Sequence, residues 1–250
     1  MFMTDEKLEE LTIEEHIGEL KSRVIKCLVA LVILSSIGLY FADSVYNFLA
    51  EPLVKAMVGG SERKLIFTGL TEGFMTHIRL SLFLGFALSF PYIIYQIYQF
   101  VAPGLYRKEK RFILPFLIGS VTLSFIGIAI AYFFVAPIAC KFFIGFEGSI
   151  NYSNKNIPIV LEARISEYLN TIMQLLVSFA IVFQMPIAIL IAGKLGIISL
   201  ETLVKYRRHA IVLNFIFAAI VTPPDVISQV MLAIPMVLLY EISVLLLKKL

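Results

Sequence analysis

Apolar residues occur in long runs along this chain, and polar and charged residues are concentrated in the segments between them. The runs cover about residues 24–42, 74–101, 112–136, 168–192, 208–222 and 226–247. Most are about 20 residues or longer, the length at which a helix crosses roughly 30 Å of hydrocarbon. They do not alternate apolar and polar residues as the strands of a transmembrane barrel do. The pattern predicts an all-α polytopic membrane protein with six transmembrane helices in one membrane domain, residues 1–250.

The fifth run is the least typical. From Ala210 to Val221 it holds only about twelve apolar residues, roughly 18 Å of helix, before the sequence Thr222-Pro223-Pro224-Asp225 ends it. We expect short fifth and sixth spans and a locally thinned bilayer around them.

The segment before the first span has an amphipathic pattern. Thr12 and Glu15 have the spacing of a capping box, and Ile13, Ile17 and Leu20 then fall on one helical face. This predicts an amphipathic N-terminal helix on the membrane surface that leads directly into the first span. The acidic residues around it have the wrong charge for the leading part of a cleavable signal peptide.

Composition supports the membrane assignment and charge orients the chain. The sequence is 59% hydrophobic and only 16% charged, against about 25% charged in soluble domains, and its mean hydropathy is +0.90. About fourteen of the 21 lysines and arginines lie at the N-terminus, at the C-terminus and in the loops after spans two and four. About six lie in the other three loops, so the positive-inside rule places both termini in the cytoplasm.

Nothing in the sequence points to covalent chemistry. Cys27 and Cys140 fall in apolar runs, as small buried hydrophobes do, and the three histidines have no metal-ligand spacing to Cys, Asp or Glu. There is no glycine-rich phosphate loop and no metalloprotease or hydrolase motif. We therefore expect no enzyme, no metal site and no cofactor.

Four basic residues surround one carboxylate, Glu109, in the loop at residues 100–111 between the second and third spans. This short polar loop lies at the membrane edge, and we expect whatever the protein recognises to meet Glu109. In the simpler interpretation Glu109 only moderates the charge of its own loop.

Polar residues inside the apolar runs are costly and usually have a use. Gln174 and Gln184 lie in the fourth run, and Glu241 lies about six residues inside the inner end of the sixth. Gln184 is either a hydrogen-bonding site in a water-accessible interior or a plain interhelical bond, and Glu241 has either a structural partner or a function. With Arg79, which can also simply snorkel, these residues suggest an alternative function, a proton-coupled small-solute transporter. Against it, the sequence shows no internal repeat of the kind that such transporters often have.

Six motifs in order resemble the TatC family, the multi-spanning subunit of the twin-arginine protein translocase. The similarity covers nearly the whole chain, and although each motif is weak alone, their order and spacing are specific. The motifs are His16-Ile-Gly-Glu19-Leu-x-x-Arg23, Glu51-Pro52-Leu53, Phe100-x-x-Pro103-x-Leu-Tyr106-x-x-Glu109-Lys-Arg111, Tyr132-Phe-x-Val-x-Pro137, Thr222-Pro-Pro-Asp225-x-x-x-Gln229 and Ala233-Ile-Pro-Met-x-x-x-Tyr240-Glu241-Ile.

The resemblance implies a protein of a prokaryotic inner membrane that binds twin-arginine signal peptides of folded export substrates. Its expected partners are the single-span subunits TatA and possibly TatB, the lipid bilayer and further copies of itself, with export driven by the proton gradient and no nucleic acid involved. The implied signal-peptide site comprises Glu19, Glu109, Arg23, Lys21, Phe100, Tyr106, Lys110 and Arg111. Further matching positions, with partner or structural roles, are Pro52, Phe74, Pro91, Tyr132, Asp225 and Gln229.

Two carboxylates on one membrane face, Glu19 and Glu109, suit this function because each can hold an arginine guanidinium through paired hydrogen bonds that lysine cannot reproduce. Glu19 can instead simply pair with Arg23, four residues on. Asp225 is placed to cap the sixth span, and Phe74 and Phe100 can be packing residues. The chain departs from the family pattern at Lys21, where arginine is common, and at Gln184, where a glutamate is common. Gln184 cannot change its protonation state.

Overall fold

The structure, a computed structural model, describes residues 13–57, 63–101, 113–152, 155–222 and 225–249. These residues form a predominantly helical fold with four short strands. The helices are α1 (Ile13–Tyr40), α2 (Ala42–Met57), α3 (Glu72–Val101), α4 (Ile113–Ile130), α5 (Ala136–Ile144), α6 (Ile165–Val182), α7 (Met185–Lys194), α8 (Leu200–Lys205), α9 (Arg207–Val221) and α10 (Val226–Lys249). A π-helical turn, Ala131–Val135, joins α4 to α5, and the strands are β1 (Leu65–Ile66), β2 (Gly148–Tyr152), β3 (Lys155–Ile159) and β4 (Ala163–Arg164).

The first helix is continuous from Ile13 to Tyr40. The prediction of a separate surface helix before the first span is therefore wrong as a division into two elements. Residues 13–23 form the first three turns of the spanning helix itself, because no proline interrupts the helical pattern before Val24 and the helix continues through Gly18. The polar segment between the first two apolar runs begins with a helix of its own, α2.

Small residues allow α1 and α3 to pack closely in antiparallel directions. A Cβ atom added to Gly38 would lie 2.9 Å from the carbonyl oxygen of Ser81, and one added to Gly85 would lie 2.6 Å from the backbone nitrogen of Ser35. Ser81 and Ser89 are buried on the same face of α3. A side chain at either glycine would collide with the backbone of the facing helix. The close contact therefore requires glycine, which has no side chain, at these positions.

A second close seam joins α4 to α6. A Cβ atom on Gly127 would lie 2.9 Å from the carbonyl oxygen of Phe179, which is fully buried.

The fourth predicted span is interrupted at Phe183 and Gln184, and Pro186 lies in the first turn of α7. Proline is tolerated there because the first residues of a helix have no intrahelical acceptor for their N–H groups.

Within the described residues, five helical stretches are long and apolar enough to cross a membrane. They are Glu14–Tyr40, Glu72–Phe100, Pro115–Ile144, Ile165–Lys194 and Val226–Lys249. The fifth predicted span corresponds to α9, whose 15 residues extend about 22 Å. In contrast, α10 has 24 residues, so the expectation of a short sixth span is wrong. The six-span count and the orientation of the termini stay predictions.

Two small sheets lie at the end of the bundle where α3 and α6 begin, which we call the hairpin end. Strands β2 and β3 form an antiparallel hairpin, with Gly148 paired to Ile159 and Tyr152 to Lys155. Strands β1 and β4 pair in parallel. Part of the polar segment between the third and fourth apolar runs is therefore regular structure. The short apolar–polar alternation of the two strands lies among polar residues, which hides it in the sequence.

An ion pair at the hairpin end joins the loop before β1 to the one before β2. Arg63 donates from Nε to Glu147 at 3.1 Å and from Nη1 to the carbonyl oxygen of Met57 at 2.9 Å, while the backbone N–H of Leu161 donates to Glu147 at 3.0 Å. Arg63 and the Leu161 N–H hold the pKa of the Glu147 carboxyl below its usual range.

The lowered pKa of Glu147 predicts acid sensitivity of this end of the fold. A carboxyl whose folded pKa is below its unfolded value contributes stability that is present above about pH 4.3 and is lost as pH falls through the folded pKa. The protection factor of the Leu161 amide, its exchange rate corrected for the intrinsic pH dependence of exchange, should therefore fall on acidification in the parent protein. In Glu147→Gln the protection factor should already be lower at neutral pH and should lose this pH dependence; a variant with the same pH profile as the parent would contradict the ion pair.

The α1–α3 seam predicts opposite effects for one substitution at two glycines. Replacing Gly by Ala in the interior of a helix stabilises the helix by about 1 kcal/mol. Gly18→Ala in α1 should therefore stabilise the protein, since nothing lies within 4 Å of the added Cβ. Gly85→Ala should destabilise it by about 1–3 kcal/mol because the seam must open. The free energy of unfolding in detergent tests this, and stabilisation by both variants would show that the seam is not tight.

Candidate functional site

A carboxylate, a guanidinium and an amide form a polar network between α1 and α3. Arg23 donates from Nε to Glu19 Oε1 at 3.0 Å, with a second contact from Nη2 to the same oxygen, and from Nη1 to Gln96 Oε1 at 3.1 Å. Gln96 is buried, and the side chains of Glu19 and Arg23 are 26% and 17% exposed. Arg23 is thus fixed from both helices and holds Glu19 in one orientation.

The second carboxylate oxygen of Glu19 has a different environment. Within the described residues both hydrogen bonds to Glu19 use Oε1. Among these residues none donates to Oε2, and the side chain of Glu19 is partly exposed. The pairing of Glu19 with Arg23, considered above as a purely structural interpretation, is present, and in the described part of the chain it engages one of the two carboxylate oxygens.

A polar groove of about 310 Å³ opens on one flank of the α1–α3 seam. On the other flank lies an apolar groove of about 340 Å³, where Leu20, Val24 and Leu28 face Ile93 and Ile97. Arg23 and Gln96 line both grooves. The polar groove is lined by Glu19, Ser22, Arg23, Lys26, Tyr95, Gln96 and Gln99.

Phe100 lies at the end of the α1–α3 seam where α1 begins and α3 ends. Its ring stacks on His16 with 4.3 Å between centroids and 19° between planes, so the expected packing role of Phe100 is present. Lys21 is exposed on α1 and does not line the polar groove.

Four of the expected signal-peptide residues, Tyr106, Glu109, Lys110 and Arg111, lie outside the described residues. The helices on either side, α3 and α4, end at Val101 and begin at Ile113. The segment that carries these residues is therefore attached where Phe100, Gln96 and Glu19 come together.

Gln184 forms interhelical hydrogen bonds at the break between α6 and α7. Its amide nitrogen donates to the carbonyl oxygen of Ser120 at 2.9 Å and also contacts the Ser124 hydroxyl, and its oxygen accepts from the Ser120 hydroxyl. Both serines are buried. Of the two alternatives from the sequence, this geometry favours the interhelical bond, because α4 satisfies the polar atoms of the amide.

The other two intramembrane polar residues also bond to neighbouring helices. Gln174 donates to the carbonyl oxygen of Val221, the last residue of α9, at 2.9 Å. Glu241 on α10 lies 3.3 Å from Nη2 of Arg207, the first residue of α9. Gln174, Gln184 and Glu241 thus bond to different partners at separate helix contacts, an arrangement that does not support the polar pathway of a solute transporter. Arg79 is exposed.

Several of the remaining expected positions have structural contacts. The hydroxyl of Tyr132, in the π-helical turn, donates to the carbonyl oxygen of Phe48 at 2.6 Å, and its ring stacks on Phe48. Asp225 accepts from the backbone N–H of Ser228 at 2.7 Å, as expected for a cap of α10. Gln229 donates to the carbonyl oxygen of Phe215 at 3.3 Å. Pro52 is buried within α2, Pro91 lies within α3, and Phe74 is 66% exposed.

Sequence reasoning missed Gln96, which anchors the site from α3. One feature could have revealed it: Gln96 lies seven residues after Ser89, on the same helical face as Ser81, Gly85 and Ser89. A face of small residues at this spacing is typical of close packing against another helix, so a polar residue on it needs a partner. Among the described residues, no group of three or more His, Cys, Asp or Glu side chains is placed to hold a metal ion.

Comparison with known proteins agrees with this architecture. The family model of the "Sec-independent protein translocase protein (TatC)" matches residues 15–235. The TatC proteins of Rickettsia prowazekii and Escherichia coli K12 are 46% and 37% identical, covering 92% of this chain in both cases and 90% and 85% of their own lengths. A crystal structure described as the twin arginine translocase receptor TatC superposes with a TM-score of 0.77 at 39% identity, covering 94% of this chain and 98% of that one. The chain therefore belongs to the TatC family of Sec-independent protein translocase proteins, and it is a membrane protein of that family.

Proposed function

We propose that this chain is the receptor subunit of a twin-arginine translocase and binds the paired arginines of signal peptides through Glu19 and Glu109. The observation that carries the proposal is the orientation of Glu19. Arg23, itself bonded to Gln96, contacts one oxygen of this carboxylate, and the side chain of Glu19 lines the polar groove. A carboxylate fixed in this way loses little conformational freedom when it binds a guanidinium, which favours binding.

Family membership supports the assignment to translocation, and the crystal structure with the TM-score of 0.77 bears the description of a receptor. On this proposal the site lies on the cytoplasmic side of a prokaryotic inner membrane, with both termini on that side. The apolar part of the signal peptide then lies along the helices. The apolar groove beside Arg23 offers an apolar surface for it. Binding recruits TatA and, where present, TatB, in an assembly of several copies that uses the proton gradient to export folded proteins.

Arginine selectivity tests the proposal directly. The affinity of the purified protein should be higher for a twin-arginine signal peptide than for its twin-lysine version, because a guanidinium presents several N–H donors in a fixed planar arrangement and is more weakly hydrated than an ammonium group. Glu19→Ala should weaken binding of the arginine peptide by roughly ten- to a hundred-fold, the loss expected for a charged hydrogen-bonded pair. Glu109→Ala should behave similarly, and either change should reduce the preference for arginine.

Glu14→Ala is the matched control. It removes the same charge from the exposed surface of α1, outside the polar groove, and should leave both affinities close to those of the parent. If Glu19→Ala and Glu14→Ala had equal effects, the contribution of Glu19 would be general electrostatic attraction. If all peptides and variants bound alike, the receptor assignment would be overturned.

A further inference from the structure

The polar groove contains a cation that its own acidic residue does not neutralise. Glu19 is paired with Arg23, so these two charges offset each other. Lys26, which also lines the groove, has no carboxylate within ion-pair distance among the described residues. Counted over the described residues alone, the groove carries about one net positive charge at Lys26, which lies close to the predicted start of the first span at residue 24.

The other groups around Lys26 supply hydrogen-bond donors. Gln99 donates from Nε2 to the hydroxyl oxygen of Tyr95 at 2.7 Å. Since that oxygen acts as the acceptor, the Tyr95 O–H is directed elsewhere and can donate, and the Gln99 amide keeps a second N–H. Ser22, one turn before Lys26 on α1, adds a hydroxyl. The groove thus combines one cation with several donors, which suits a singly charged anion with several acceptor oxygens.

The position of the groove indicates what that anion is. Lys26 and Tyr95 lie at the boundary between apolar helix and polar sequence, where lysine and tyrosine side chains of membrane proteins meet lipid headgroups. Exposed apolar residues of the two helices, among them Ile25, Val29 and Leu88, extend from this level toward the hairpin end. A molecule with a phosphate group and long apolar chains matches both parts of the surface.

We propose that the polar groove binds the headgroup of an anionic phospholipid, with Lys26 pairing the phosphate and Ser22, Tyr95 and Gln99 donating hydrogen bonds to it. Glu19 lies in the same groove, but Arg23 offsets its charge. The proposed lipid site requires only that the chain lies in a membrane. The proposal therefore stands even if Glu19 binds no signal peptide.

Native mass spectrometry of the full chain, titrated with phosphatidylglycerol or phosphatidylcholine, tests the proposal. The parent protein should retain phosphatidylglycerol more tightly. Lys26→Gln should lower that affinity by about five-fold, the effect of one lysine at an anionic lipid surface. Tyr95→Phe should lower it by a smaller factor, because one donor is lost and the ring remains.

Lys248→Gln is the matched control, since it makes the same charge change at the exposed end of α10, which lies outside the groove. It should retain phosphatidylglycerol like the parent, and thermal unfolding should show that all variants are folded. Equal losses in Lys26→Gln and Lys248→Gln, or equal retention of the two lipids by the parent, would overturn the proposal. Displacement of the lipid by excess inorganic phosphate would also overturn it, because the site would then recognise a free anion.

Discussion

The close contact between α1 and α3 is the constraint on which the candidate site depends. Gly38, Gly85 and the buried serines of α3 bring the two backbones together. At that separation the Arg23 side chain reaches Glu19 on its own helix and Gln96 on the facing one. A wider seam would separate Arg23 from Gln96, and Arg23 would then be held from one helix only.

Contact between neighbouring helices also accounts for the other polar side chains within the apolar helices. Gln184 bonds to Ser120 on α4, Gln174 to the end of α9, and Glu241 to Arg207. Because the hydrocarbon interior supplies no hydrogen-bond partners, polar groups there are satisfied by neighbouring protein groups. In this chain they act as fixed connections between helices and hold the irregular parts, the break at Phe183 and the short helix α9, in place.

The apolar runs alone predicted the helical membrane fold, and the spacing of Ser81, Gly85 and Ser89 is typical of a close helix contact. The partner of that contact was not predictable, because Gln96 and Arg23 are 73 residues apart and sequence spacing reports only on one helix at a time. The roles of Asp225 and Glu19 could be predicted in part. Helix capping and the pairing of side chains four residues apart depend only on nearby sequence. The apolar run at residues 226–247 coincides closely with α10, so only the description of this span as short was wrong.

The π-helical turn Ala131–Val135 divides the third spanning stretch into two helices with different phases. One extra residue in a helical turn rotates everything that follows by about 100° relative to an uninterrupted helix. Tyr132, within the turn, reaches the backbone of α2, while Cys140, after it, packs with Leu53 and Met57. A helical wheel drawn across residues 115–144 would therefore assign the second half to the wrong face, and removal of a single residue from the turn would shift α5 out of contact with α2 while leaving the helix unbroken.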